Sequence, residues 1–164
     1  MNTASLLRSI PLFALLVATA CGRGEDASSR APEPAATAEE PSPPAVERTV
    51  SPEGARVFFI TPEDGAVVSN PVTLEFGLES MAVVPAGDAT PDSGHHHVLI
   101  DTDLPDLGLP IPADANHVHF GDASTATELT LEPGEHTLQL LLGDHLHIPH
   151  DPPVASERIA IVVE

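Results

Sequence analysis

The sequence contains no lysine, no tryptophan and no tyrosine, and only one cysteine. Each absence narrows what the protein can do. Six arginines against 25 acidic residues leave a formal charge of −19. Such a surface repels phosphates, so nucleic acid is excluded as a partner. It also repels anionic lipid headgroups, and cations are the favoured company of this field. Without Trp or Tyr, sugar binding by ring stacking is not expected. A single cysteine permits no internal disulfide, and the rest of the chain offers a metal no thiolate. Any metal site must then use histidine, carboxylate or backbone. Met81 is the only methionine after Met1, which argues against a thioether-rich Cu(I) carrier. The patterns G-x-S-x-G, H-E-x-x-H and C-x-x-C-H are absent, so hydrolase and haem readings have no support. No enzymatic activity is expected, with a copper redox activity the remote exception.

What is present begins with an export signal. Arg8 is the only charge before IPLFALLVATA, an apolar run that ends at Cys21. The run has signal-peptide length and is too short to span a membrane. Ala18, Thr19, Ala20 and Cys21 resemble a bacterial lipobox. Residues 1–20 are thus expected to be a removed signal peptide and Cys21 a lipidated anchor. Gly22 stands where an inner-membrane retention aspartate would sit. This favours an outer-membrane lipoprotein facing the periplasm or the cell surface. Membrane contact is expected through the lipid rather than a basic face.

Residues 21–54 are rich in Pro, Ala, Glu and Ser with little to bury, and they read as a disordered tether. From residue 55 to 164 the pattern changes to short β-type runs. RVFFI is followed by turn chemistry at Pro62, Asp64-Gly65 and Asn70-Pro71. VTLEFGLE alternates, placing Val72, Leu74, Phe76 and Leu78 on one face. HHHVLIDTD reads as another strand. TELTLEPGEHTLQLLLGD holds two strands around Pro133-Gly134, and ERIAIVVE closes with Ile159, Ile161 and Val163 on one face. Residues 105–117 form a proline-studded loop. No helical period is sustained. The pattern predicts an all-β domain, an immunoglobulin-like β-sandwich of about six to eight short antiparallel strands.

All nine histidines fall between residues 95 and 150. In an extended strand His95, His97, Leu99 and Asp101 share one face, while His96 shares the more apolar face with Val98 and Ile100. His117 and His119 form an H-x-H pair, which projects two imidazoles the same way. His145 and His147 repeat that spacing, and His150 follows the stiffening Pro149. Loops at one end of a sandwich could bring these groups together. The expected ligands are His95, His97, His117, His119, His147 and His150. Three or four converging imidazoles suit one divalent transition metal, Cu, Zn or Ni. His96, Asp101, Asp144, His145 and Asp151 are the alternative ligands, or the groups that hold an imidazole N–H. His136 reads as an ordinary strand histidine. Beside this stand two plainer readings: histidines that only brace loops against carbonyls, and histidines that sense pH.

Several phrases are distinctive: RVFFITPEDGAVV, VTLEFGLESMAVVPAG, GHHHVLIDTDLPDL, PIPADANHVHFG, GEHTLQLLLGDH and HIPHDPPVASERIAI. From about Arg56 onward the chain resembles a bacterial family known as domain of unknown function 4399. The resemblance brings no activity with it. It implies that His95, His96, His97, Asp101, His117, His119, Asp144, His150, Asp151 and Pro152 belong to a recurring pattern. His145 looks particular to this chain. Asp122, Ala123 and Ser124 stand where further glycine is expected after HFG, which puts a backbone role for that loop in doubt.

Two function classes follow. One is a lipid-anchored periplasmic module with a histidine-based metal site. The other is a structural or interaction module of the cell envelope, with a protein partner of unknown identity. Copper-zinc superoxide dismutases also place H-x-H on a sandwich, but this chain lacks the paired cysteines expected of them.

Overall fold

A computed structural model describes residues 46–164. The expected signal peptide, Cys21 and the tether up to residue 45 lie outside the described residues. The described residues 46–164 belong to one compact unit. Nine strands follow one another in the described residues: β1 (Arg56–Thr61), β2 (Val67–Val68), β3 (Val72–Glu79), β4 (Ala82–Val83), β5 (Ser93–Ile100), β6 (His117–His119), β7 (Ala126–Leu129), β8 (Gly134–Gly143) and β9 (Ile159–Val163).

They form two sheets. One has the order β1-β3-β7 and the other β2-β9-β8-β5-β4, with β6 also paired to β5. The inner faces meet in one apolar core. Val57, Val72, Leu74 and Phe76 come from the first sheet; Val98, Ile100, Leu138, Leu140, Leu142, Ile159, Ile161 and Val163 come from the second. Alternation explains this, since β3 buries Val72, Leu74 and Phe76 and exposes the residues between them. Each fully buried Leu or Val contributes roughly 1.5–3 kcal/mol relative to exposure. The expected all-β sandwich is therefore what the sequence builds.

Two pairings are parallel rather than antiparallel, β2 with β9 and β4 with β5. For β2 the cause is local. The turn after β1 is anchored on the other sheet, where the Gly65 amide donates to the Ala160 carbonyl at 2.7 Å and Asp64 accepts from the Ala160 amide at 2.8 Å. The chain thereby changes sheets and continues alongside β9 in the same direction.

The feature that shapes the site is the outer face of the second sheet. All eight residues of β5 are buried. Val98 and Ile100 point into the main core, while Leu99 joins Ile111 and Leu141 in a second apolar cluster, with Ala155 packed on it. The loops around 101–116 and 144–156 therefore cover what would otherwise be the solvent face. Aspartates stitch these loops. Asp88, Asp106, Asp114, Asp122 and Asp144 each accept the backbone N–H two residues on, an Asx turn in every case. Part of the acidic excess is thus structural.

The fold also begins earlier than Ala55. Residues 48–51, expected to be tether, lie against the loop after β8: Val50 forms a parallel bridge with Asp151, and the Asp151 amide donates to the Thr49 carbonyl at 2.9 Å.

Candidate metal centre

Strand register builds the site. On β5, His95 and His97 point outward, two residues apart. Their neighbour across one edge is β6, where His119 sits opposite His97. Across the other edge His95 lies opposite Gly143, the last residue of β8. From Gly143 the chain turns back over the sheet and brings His147 in from above. The four rings form a closed set. Centroids are 4.8 Å apart for His95–His97, 4.9 Å for His95–His119, 4.8 Å for His95–His147 and 5.0 Å for His97–His119. His119–His147 is 4.8 Å and His97–His147 is 6.0 Å. One ligand nitrogen from each of His95, His97 and His119 lies within 4.8 Å of the others. A tetrahedral Zn(II) with bonds of 2.0–2.1 Å holds its nitrogens about 3.4 Å apart, so modest ring rotations close the set.

Small residues make room for the rings. A Cβ on Gly143 would meet His97 Cε1 at 2.9 Å, and a Cβ on Gly121 would clash with His119 Cε1. Neither glycine was singled out from sequence. The available signal is that each ends a run beside the histidines, HVHFG and LLLG.

Burial sets the protonation state. His95 and His97 are 0% and 1% exposed. Burial first, then the proximity of His147 and His119, lowers His95 to about 4. Burial first, then the neighbouring His95, His119 and His147, lowers His97 to about 3. His119 is also lowered, chiefly by burial and then by His147. These imidazoles are neutral at neutral pH and keep a lone pair for a metal. Both ring nitrogens of His95 and the Nδ1 of His97 are buried without a partner. A buried polar group left unpaired costs about 1–3 kcal/mol, and a cation among the rings would satisfy one nitrogen of each. The donor set fits a borderline divalent ion: imidazole alone, without thiolate or carboxylate.

The remaining expected ligands do not join the cluster. His117 lies on the same face of β6 as His119 but opposite Leu99, and its Nδ1 is held by Asp114 Oδ1 at 2.8 Å. His150 is buried, with Nε2 donating to the Ser93 carbonyl at 3.1 Å, so it braces the loop. His145 fails for a geometric reason. The H-x-H argument needs extended backbone, yet 144–148 is a tight turn in which the His147 amide donates to the Asp144 carbonyl at 2.9 Å. His147 adopts φ 66°, and only His147 reaches the cluster. His96 points inward as expected, its ring 5.2 Å from Phe76.

The expected carboxylates are committed elsewhere. Asp101 leaves the strand with φ 53°, which ends the alternation. It accepts from His136 Nδ1 and from the Thr137 amide, both at 2.7 Å. His136, set aside on sequence, donates its other nitrogen to the Glu132 carbonyl. The Glu132 carbonyl and then Asp101 raise its pKa. Asp151 pairs with Arg48 at 3.3 Å. Asp144 does lie by the site, but its oxygens hold backbone: Oδ1 accepts from the Leu146 and Ile148 amides and Oδ2 from Thr49 Oγ1. Burial works against its ionised form, yet the bonds from Thr49, Ile148 and Leu146 keep it below the usual carboxylate range.

A family model described as domain of unknown function (DUF4399) matches residues 74–164, the stretch that contains every histidine. No curated protein and no solved structure matches the chain.

Proposed function

We propose that this chain, which belongs to the DUF4399 family, is a lipid-anchored module of the periplasm that binds one divalent transition metal, Cu, Zn or Ni, through His95, His97, His119 and His147. The observation that carries the reading is the closed set of four imidazoles around the fully buried His95, whose two nitrogens have no other partner. Unpaired nitrogens alone do not mark the site, since His96 in the core has them too. Here four rings stand together, and the desolvation of the buried ones is what a cation would offset. The metal supplies that compensation. His119 is exposed, which leaves a route by which an ion enters and leaves. The acidic exterior raises the local concentration of cations. The role is binding or buffering rather than catalysis. The lipobox-like Ala18–Cys21 stretch supports attachment to the outer membrane through lipid on Cys21.

The competing reading is an envelope interaction module whose histidines only brace loops. His117 on Asp114 and His150 on the Ser93 carbonyl favour it for those two residues. Calorimetry separates the readings. The untagged chain without its signal peptide is stripped with chelator and titrated with Zn(II), Cu(II) and Ni(II). The metal reading expects a single site tighter than about a micromolar, roughly −8 kcal/mol. Weak binding at many sites overturns it and leaves an acidic surface collecting cations.

A further inference from the structure

His147 differs from its three partners in how it is held. His95, His97 and His119 stand on paired strands. His147 stands on a loop, in left-handed backbone that a non-glycine residue seldom adopts. That loop is closed by Asp144. The Asp144 amide donates to the Ile148 carbonyl at 2.9 Å, and Asp144 Oδ1 accepts from the Leu146 and Ile148 amides at 2.8 and 3.0 Å. The Ile111 amide donates to the His147 carbonyl at 2.8 Å. The second oxygen of Asp144, on a residue 2% exposed, receives its bond from one side chain, Thr49 Oγ1 at 2.7 Å.

Thr49 belongs to the strap at residues 48–51, which grips the other end of the same loop. Arg48 Nε donates to the Pro149 carbonyl at 2.9 Å and its Nη2 to the His150 carbonyl. The Ser51 amide donates to the Asp151 carbonyl at 3.1 Å, and Ser51 Oγ to the Pro152 carbonyl at 2.8 Å. The strap is held by polar bonds rather than apolar burial, since Val50 is 73% exposed. Segments of that kind open at lower free energy than the core. The strap is also the C-terminal end of the segment that reads as a tether.

We propose that the strap is a clamp for the fourth ligand. Thr49 and Arg48 are positioning residues that hold the 144–150 loop so that His147 completes the metal site, and docking of the tether's last residues sets how tightly the ion is retained. This rests on the metal reading above. By linkage the coupling runs both ways: if strap docking tightens metal binding, metal tightens strap docking by the same factor.

The test compares the chain without its signal peptide with Thr49→Val, Thr49→Ser, His147→Ala and the double variant Thr49→Val/His147→Ala, each titrated with Zn(II) and Cu(II). Trypsin cleavage after Arg48 is followed with and without metal. Thr49→Val is expected to weaken binding about ten-fold, the range for losing an outer partner of a ligand, and Thr49→Ser to restore it. In the His147→Ala background Thr49→Val should change affinity by less than about two-fold, because its effect passes through His147. Metal should slow the cut after Arg48 in the parent and not in His147→Ala. If the parent binds tightly but Thr49→Val binds as well as the parent, the clamp is wrong while the metal reading stands. Equal loss from Thr49→Val in both backgrounds also overturns it, since the strap would then act on the whole fold. Absence of tight binding in the parent sinks both.

Discussion

His95, His96 and His97 are consecutive on β5, yet the two faces of the strand put them to different ends. On the outer face His95 and His97 look into a group of four imidazoles. On the inner face His96 packs on Phe76 within the apolar core, with neither nitrogen partnered. All three are buried, and burial lowers the pKa of all three. Neither residue type nor burial therefore marks the site. What distinguishes the outer pair is company: other imidazole rings close by, His119 placed there by β6 and His147 by the turn after β8.

The comparison breaks most sharply by substitution on each face. His95→Ala removes the ring that touches the other three and should weaken metal binding by about 100-fold or more, beyond the 10–100-fold typical of outer partners. His96→Leu replaces an unpaired buried imidazole with an apolar group and should leave affinity within about two-fold. It should hold or raise stability by about 1 kcal/mol. Isothermal titration and urea unfolding of both variants check this. Loss of metal binding in His96→Leu would mean that the two faces are not separate.

Acid tests the same division in the metal-free protein. His95 and His97 titrate near 4 and 3 when folded, against 6.5 for an unperturbed histidine. Between those values the unfolded chain binds protons that the native state refuses. Stability is then complete above about pH 6.5 and falls as pH drops toward 4. The outer pair alone implies uptake of about two protons on unfolding within that window. His96 adds its share from the inner face, so His96→Leu should flatten the slope without abolishing it. Urea midpoints measured from pH 7.5 to 4.5 give the slope. A flat profile would contradict the neutral, desolvated state of these rings.

Glycines give a smaller and more local contrast. Gly143→Ala and Gly121→Ala each drive a Cβ into a ligand ring, His97 or His119. Gly77→Ala drives one into the ring of Phe58, its cross-strand partner in the β1-β3-β7 sheet, away from the site. The first two should weaken metal binding about ten-fold, with ring displacement rather than loss of the ligand as the cause. Gly77→Ala should lower thermal stability by an overpacking cost of about 1–3 kcal/mol and leave affinity unchanged. Equal effects on affinity from all three would show a global rather than a site-specific cause.

How much of this was legible follows the range of the interactions. Strands such as β3 and β9 read directly, because a period of two survives in Val72, Leu74 and Phe76 and in Ile159, Ile161 and Val163. The same rule placed His96 inward and His95 and His97 outward. It failed for His145, because Asp144 closes a turn where alternation assumes extended chain, and for Asp101, whose left-handed φ ends the strand. The strap was not legible at all. Arg48 and Thr49 sit in Pro- and Glu-rich surroundings, and their partners lie 95 to 102 residues away. Nothing local announces a hydrogen bond of that span. The covering of the sheet's outer face is similarly long-range, and it buries the face on which His95, His97 and Leu99 stand.

The smallest expected effect bears on the two histidines of β6. His117 and His119 share a face, and sequence alone makes them equivalent. The register separates them: His119 stands opposite His97 and His117 opposite Leu99. His117 nonetheless keeps one feature of a ligand, since Asp114 holds its Nδ1 and its Nε2 is buried without a partner. A carboxylate on one nitrogen with the other free is how metal-bound imidazoles are commonly oriented. If His117 only braces the 114–117 turn, His117→Gln changes metal affinity by less than about three-fold, while His119→Gln costs about ten-fold or more. Equal losses from the two substitutions would extend the site along β6. Asp114 would then orient a fifth imidazole rather than close a turn, and the face of β6 would carry two ligands where the strand register gives it one.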